Sequence, residues 1–268
     1  MRVRHDPRAD EDGYANALVP GLRASADAAR LAQELALATA RLGALAAEPY
    51  GLYAEVASQP DEEEALWLAF LIAYVSPGGD GQDPFVGVRG ARTPWRSAPV
   101  SPPPSTLLGP RSSHQPGAGA RTLEAYHAWA GRSGSQLAAL TGDASWSPER
   151  RFARIFERLA LPGLSRAGRF DLLVSLGRLG RVGLRADALH FADGDGSTLA
   201  AKRAFGIGDR LVLERRAAEL AAAAQVPLEV LDLALYNWGS PQARATMGMS
   251  GPLSDEDARG RAAHALGV

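Results

Sequence analysis

Apolar residues recur along this chain at alternating steps of three and four, the spacing that lines one face of an α-helix. Ala28, Leu31, Leu35, Ala38, Leu42 and Leu45 predict a long amphipathic helix over Ser25–Leu45. A second helix is predicted from Asp61, an N-cap followed by Glu62, Glu63 and Glu64, whose carboxylates suit the positive end of a helix dipole. Leu66, Trp67, Phe70, Leu71 and Tyr74 form its apolar face, and Ser76-Pro77-Gly78-Gly79 ends it. Helical spacing returns at Thr122 with Leu123, Tyr126, His127 and Trp129. It pauses at Gly131 and Gly134, then resumes at Leu137 and Leu140.

Ser147-Pro148-Glu149 is a helix start, with a capping hydroxyl, a proline where no amide is needed and an acid in the first turn. Phe152, Ile155, Phe156 and Leu159 supply the buried stripe before Leu161-Pro162-Gly163 breaks the pattern. Further segments are expected at Arg166–Leu179, around Ala186–Phe191, and at Thr198–Phe205, Asp209–Gln225 and Pro227–Trp238, the last with Leu228, Leu231, Leu235 and Trp238 on one face. Ser254-Asp255-Glu256-Asp257 starts a terminal helix that closes the bundle. Sustained period-two alternation is absent, so the expected fold class is all-α, a single helical domain over 1–268 with its core at 147–238 and a closing segment at 240–268.

Residues 77–120 break the helical reading, with nine of the 18 prolines and eight glycines, including Ser101-Pro102-Pro103-Pro104. The expectation is an ordered, irregular surface crossing, with Trp95 set between Arg92 and Arg96. The first 24 residues read as a polar segment, and Met1–Asp12 is too polar for a signal peptide. Together with the lack of any apolar run of about 20 residues, this predicts a cytoplasmic protein with no membrane partner.

Zero cysteines exclude disulfides, thiolate catalysis and Cys-ligated metals. His5, His114, His127, His190 and His264 show no metal-ligand spacing, so neither a metal nor any other cofactor is expected. The net charge of −1 hides a gradient, because Arg150–Arg185 holds nine arginines against Glu157 and Asp171. Such a segment fits phosphate contact, and equally a basic surface paired with acids elsewhere. Lys202 is the only lysine among 29 basic residues, hence the one basic side chain able to act as a nucleophile once desolvated.

Leu161-Pro162-Gly163-Leu164-Ser165-Arg166 is the most specific local motif. A turn of this type exposes amides at a new helix N-terminus that can hold a phosphate, with Gly163, Ser165, Arg166, Gly168 and Arg169 as the DNA-binding candidates. An ordinary αα-corner accounts for the same residues. With its hairpin and downstream spacing, the chain resembles the helix-hairpin-helix DNA glycosylase superfamily. Ser165 stands where that family usually has its second glycine. Ala167 occupies the position that is lysine in members that also cleave the strand, which excludes a Schiff base there. Gly168–Leu173, Ala200–Asp209 and Pro227–Asp232 are similar to a branch described as α-glutamyl/putrescinyl thymine pyrophosphorylase-like proteins, associated with modified phage thymines.

The resemblance implies a carboxylate near the anomeric carbon, where positive charge develops as the N-glycosidic bond breaks. Asp187 has the spacing, 26 residues beyond Leu161. Asp195, with Asp193 beside it, has the following context, Ser197–Arg203. Asp193-Gly194-Asp195-Gly196 also reads as a plain turn, and it lacks the ligand pattern of a calcium loop. Asp171 is expected to pair with Arg169 or Arg178. Lys202 is expected near the reacting nucleotide, or as an ion-pair partner of Asp195 or Asp209. Tyr74 and Trp95 are candidates for a base pocket, whereas Trp67 and Trp238 read as core. The implied partner is double-stranded DNA with modified bases, and the alternative is a non-catalytic helical module that holds nucleic acid or a protein.

Overall fold

The structure is a computed structural model, and it describes residues 10–78, 83–97, 107–115, 117–249 and 254–268. The fold is all-α, with twelve α-helices and no strand among the described residues. In order they are α1 (Ser25–Ala47), α2 (Leu52–Ser58), α3 (Glu62–Val75), α4 (Val86–Ala91), α5 (Gly119–Arg132), α6 (Gln136–Thr141), α7 (Pro148–Arg158), α8 (Arg166–Arg178), α9 (Gly196–Phe205), α10 (Arg210–Ala223), α11 (Leu228–Gly239) and α12 (Glu256–Leu266). Among the described residues, no helix is long and apolar enough to cross a membrane. His5 and the Ser101–Pro104 run lie outside the described residues.

The chain sorts into two compact units. One comprises residues up to Ala40 with Phe191–Pro241 and Leu253–Val268, and the other Arg41–His190 with Gln242–Pro252. In the second, α3 is buried on every side, each residue from Ala65 to Val75 being at most 5% exposed. It packs against α2, α4, α6 and α8. Asp61 caps it as its sequence implies, accepting from the amides of Glu63 and Glu64. The three acids of its first turn do more than answer the helix dipole. Glu63 accepts from the Gln136 and Leu137 amides that open α6, at 2.9 and 3.0 Å. Glu64 takes the Trp95 amide at 2.8 Å, and Glu62 takes Arg181 at 3.0 Å.

Several arginines act as carbonyl caps in this unit. Arg181 donates to the Val56, Ala57 and Gln59 carbonyls at 2.8, 2.8 and 2.9 Å, satisfying acceptors that the end of α2 leaves open. Arg151 does the same for Thr141 at the end of α6 and for Gly183, at 2.7 and 2.8 Å. A planar guanidinium with five donors suits this work, and an ammonium would reach fewer acceptors at once.

The Pro/Gly-rich region is more regular than its composition implies. It contains α4, and α5 begins inside its expected end. Its return segment is pinned over α8. Arg111 donates to both oxygens of Asp171, at 2.9 and 2.6 Å, and the two side chains are 0% and 4% exposed. The sequence expectation for Asp171 is a pair with Arg169 or Arg178; the structure adds Arg111, sixty residues away in sequence.

In the other unit, α9 packs on α11 and α10, and α12 packs on α10. Gly239 permits the closest approach, since a Cβ there would sit 2.8 Å from that of Ala200. Trp238 is fully buried, as its spacing implies, and its indole N–H donates to the Asp27 carbonyl at 2.9 Å. Asp27 also binds Arg30 at 2.9 Å and Arg203 at 3.3 Å, and the Arg203 guanidinium lies 4.5 Å from the Trp238 ring centroid. Asp255 caps α12, and its amide donates to Ala36 of α1 at 3.2 Å.

Removing one half of a buried ion pair leaves the other charge unsolvated. Arg111→Leu and Asp171→Leu are each expected to lower unfolding free energy by about 3–5 kcal/mol, with the double variant less damaged than the two losses combined, read by urea denaturation.

Candidate functional site

The hairpin joins α7 to α8. Gly163 has φ +76°, and a Cβ there would meet the Thr122 hydroxyl at 2.1 Å, so the turn requires glycine on both counts. Ser165, in place of a second glycine, is the N-cap of α8, and its hydroxyl accepts from the Gly168 amide at 3.0 Å. Ser113 closes over the same helix end. Its hydroxyl lies 2.8 Å from that of Ser165 and accepts the Ser165 amide at 3.2 Å. Gly168 makes room for this contact, because a Cβ there would stand 2.1 Å from Ser113 Oγ.

The two arginines expected to reach outward from this helix turn inward. Arg166 is 5% exposed, donates from Nε and Nη2 to the Leu189 carbonyl, and lies 4.5 Å from the Phe170 ring centroid. Arg169 donates to the Phe156 carbonyl at 3.2 Å and lies over the Phe156 ring at 4.3 Å. Burial, then the neighbouring Arg166 charge, lowers the pKa of Arg169. The first turn of α8 is apolar on its core side, so these guanidinium planes cover rings and leave their donors for carbonyls.

Arg166 thereby fixes the segment that carries Asp187. Leu189 is fully buried, and next to it His190 has φ +52°, a left-handed conformation that a residue with a Cβ rarely adopts. His190 stacks on Phe156 at 4.2 Å, and its Nε2 lies 2.9 Å from Asp187 Oδ1. An ionised carboxylate only accepts, so with that form of Asp187 the hydrogen of this bond sits on Nε2. Asp187 is exposed. Hairpin, Arg166, Leu189, His190 and Asp187 form one connected construction within the larger unit.

The other acids lie in the smaller unit. Asp195 is the N-cap of α9 and accepts from the Thr198 amide at 3.1 Å and hydroxyl at 3.2 Å. Asp193 is exposed and bound by Lys202 at 3.0 Å, a hydrogen bond and charge that lower its pKa. The lone lysine thus meets Asp193 rather than the expected Asp195 or Asp209. Gly194, at φ +79°, makes the turn between the two acids.

Of the two aromatics expected at a cleft, Tyr74 is fully buried, with its hydroxyl 2.7 Å from His114 Nδ1. Burial raises the Tyr74 pKa to about 12 and lowers that of His114. Trp95 is half-buried and stacks on His127 at 4.0 Å. Sequence reasoning missed Arg111, Ser113 and His190. Helical spacing had no purchase on the first two in an irregular segment, and His190 carried only its nearness to Asp187. No group of three or more His, Asp or Glu side chains among the described residues is placed to hold a metal ion.

The family model described as Alpha-glutamyl/putrescinyl thymine pyrophosphorylase clade 3 matches residues 111–247 of the 268, just over half of the chain. The chain belongs to that family. The matched stretch opens on Arg111 and takes in the hairpin and all three candidate aspartates, and membership associates the chain with thymine modification. No curated protein and no solved structure matches.

Gly168→Ala is expected to cost about 1–3 kcal/mol by driving a methyl into Ser113, and Ser113→Gly in the same chain is expected to return part of it, measured as a double-mutant cycle in denaturant. Acidification gives a separate signature. His114 and His127 have folded pKa values below the ordinary 6.5 because of burial, so the unfolded chain takes up protons first. Stability is complete above about pH 6.5 and is lost as pH falls through the folded values, and His114→Asn is expected to flatten that loss in pH-dependent melts.

Proposed function

We propose that this protein is a DNA-binding, glycosylase-like enzyme that acts at the N-glycosidic bond of a modified thymine. Asp187 is the carboxylate and the α7–α8 hairpin is its positioning frame. The observation that carries the reading is the Arg166–Leu189 tether, which makes the hairpin helix and the Asp187–His190 pair one unit. As the bond to the base lengthens, positive charge grows on the sugar, and a carboxylate held nearby stabilises it. Water then adds at the anomeric carbon, its proton passing to the carboxylate or to solvent, while the base leaves with the bonding electrons. His190 orients Asp187 through the contact of its Nε2 with the carboxylate.

The family's name points to thymine carrying an α-glutamyl or putrescinyl group, and to pyrophosphate as a participant. Both enter the test. Asp195 is the competing carboxylate, at the head of the helix whose sequence resembles the one following the catalytic aspartate in glycosylases. Its capping role at α9 gives it a structural duty that Asp187 lacks.

DNA bearing hypermodified thymine is incubated with the protein, with and without pyrophosphate, and released base and abasic sites are measured. Asp187→Asn is expected to lower base release by about 10²-fold or more while leaving DNA affinity within a few-fold. If Asp195→Asn is inactive and folded while Asp187→Asn is not impaired, the carboxylate is Asp195. If wild type and both variants release no base across the panel, the catalytic reading fails and a DNA-holding module remains.

A further inference from the structure

We propose that the outer face of α7, formed by Arg150, Arg154 and Arg158, is a track for the phosphate backbone of a DNA strand, with the adjoining Trp146 as a surface for base stacking. The proposal rests on the reading that this chain works on DNA, and it places the contact on residues that reading does not use.

Most arginines of the Arg150–Arg185 segment are spent internally. Arg151, Arg166, Arg169 and Arg181 donate to backbone carbonyls, and Arg185 pairs with Glu149. Arg150, Arg154 and Arg158 are exposed. They recur every four residues on the face opposite buried Phe152, Ile155 and Phe156, so their Cα atoms are spaced about 6 Å along the helix axis. A track of this kind presents regular positive charge to a regularly charged backbone.

The acids nearby are largely occupied. Asp143 is held low in pKa by backbone and side-chain hydrogen bonds from Ser145 and, more weakly, by the charge of Arg150. Glu149 is held by Arg185. Glu157 meets Arg154 at 3.4 Å, with side chains 66% and 53% exposed, a surface pair of small net worth. The Arg150 side chain donates no hydrogen bond to a described residue.

Trp146 stands just before the helix, next to its N-cap Ser147. It is half-exposed, lies against Gly142, where a Cβ would stand 2.5 Å from the ring, and has the Arg158 guanidinium 5.3 Å from its centroid. A ring held this way keeps its orientation without a side-chain pocket, and a base can stack on it because every base has a π-face. Arg158 ends α7, and the exposed Pro162 and Gly163 of the hairpin follow it four and five residues later in sequence. An acidic protein surface would use the guanidiniums alone, whereas a nucleic-acid strand uses both the charge and the ring.

The test is fluorescence anisotropy of the full chain with a short labelled oligonucleotide, single- and double-stranded, over a salt series. Each lost phosphate contact reduces the slope of log affinity against log salt by about 0.7–0.9. The Arg150→Gln/Arg154→Gln/Arg158→Gln variant is therefore expected to lose about 2–3 from the slope, and Arg154→Gln alone, which touches only an exposed partner, just under one. Trp146→Leu is expected to weaken single-strand binding about 10-fold and duplex binding less. Unchanged slopes in folded variants, as judged by circular dichroism, overturn the proposal. So do a wild type that binds no DNA and competition by poly-glutamate as effective as by oligonucleotide. Base release is measured on the same proteins: slopes that fall without any base release sink the enzymatic reading and keep the track, and base release with unchanged slopes does the reverse.

Discussion

Arg111 and Asp171 are buried together in the larger unit, and the contact between them offsets much of what burying each charge costs. An ion in that environment loses several kcal/mol of hydration, which a two-point guanidinium–carboxylate contact offsets when both oxygens are used. The consequence is positional. Arg111 belongs to an irregular, proline-rich stretch that could lie in many places on a helical surface, and the pair commits it to one. From that anchor the next residues follow: Ser113 covers the N-terminus of α8, and His114 meets Tyr74. The end of α8 that would otherwise present bare amides is thus built into a hydroxyl network.

A second theme is the use of arginine as a structural cap. A chain nearly without lysine carries its positive charge on planar groups that cover aromatic rings and reach several carbonyls at once. Arg151 and Arg181 close helix ends, Arg166 holds the Leu189 carbonyl, and Arg203 covers Trp238. A basic segment in such a chain is therefore a poor guide to a basic surface. The nine arginines of Arg150–Arg185 reduce to an outward stripe on α7, because the helix sends one face to the core and the guanidiniums near helix ends find carbonyls.

Helix positions were legible where caps and periodicity agreed. Asp61, Ser147, Asp209 and Asp255 all cap the helices their neighbours imply. The short α2 and α4 were not, since seven and six residues give too few turns for a period to register. The candidate site was legible in its residue types and less so in their duties. Ser165 departs from a glycine pattern, and the fold makes it the α8 cap. Arg166 is a phosphate-contact candidate by position, and the fold turns it to the Leu189 carbonyl. Tyr74 is a base-pocket candidate by its place at a helix end, and the fold buries it against His114.

The all-α class, the hairpin and most helix starts can be read along the chain, because backbone hydrogen bonding, capping and one-sided burial act over a few residues and leave a local signature. The partners of the polar side chains were decided only by tertiary structure: Arg111 with Asp171, Lys202 with Asp193, Arg166 with Leu189, His190 with Asp187. A buried charge or donor must be satisfied by whatever the packed chain brings within about 3 Å, and that neighbour is set by how helices pack rather than by spacing along the chain.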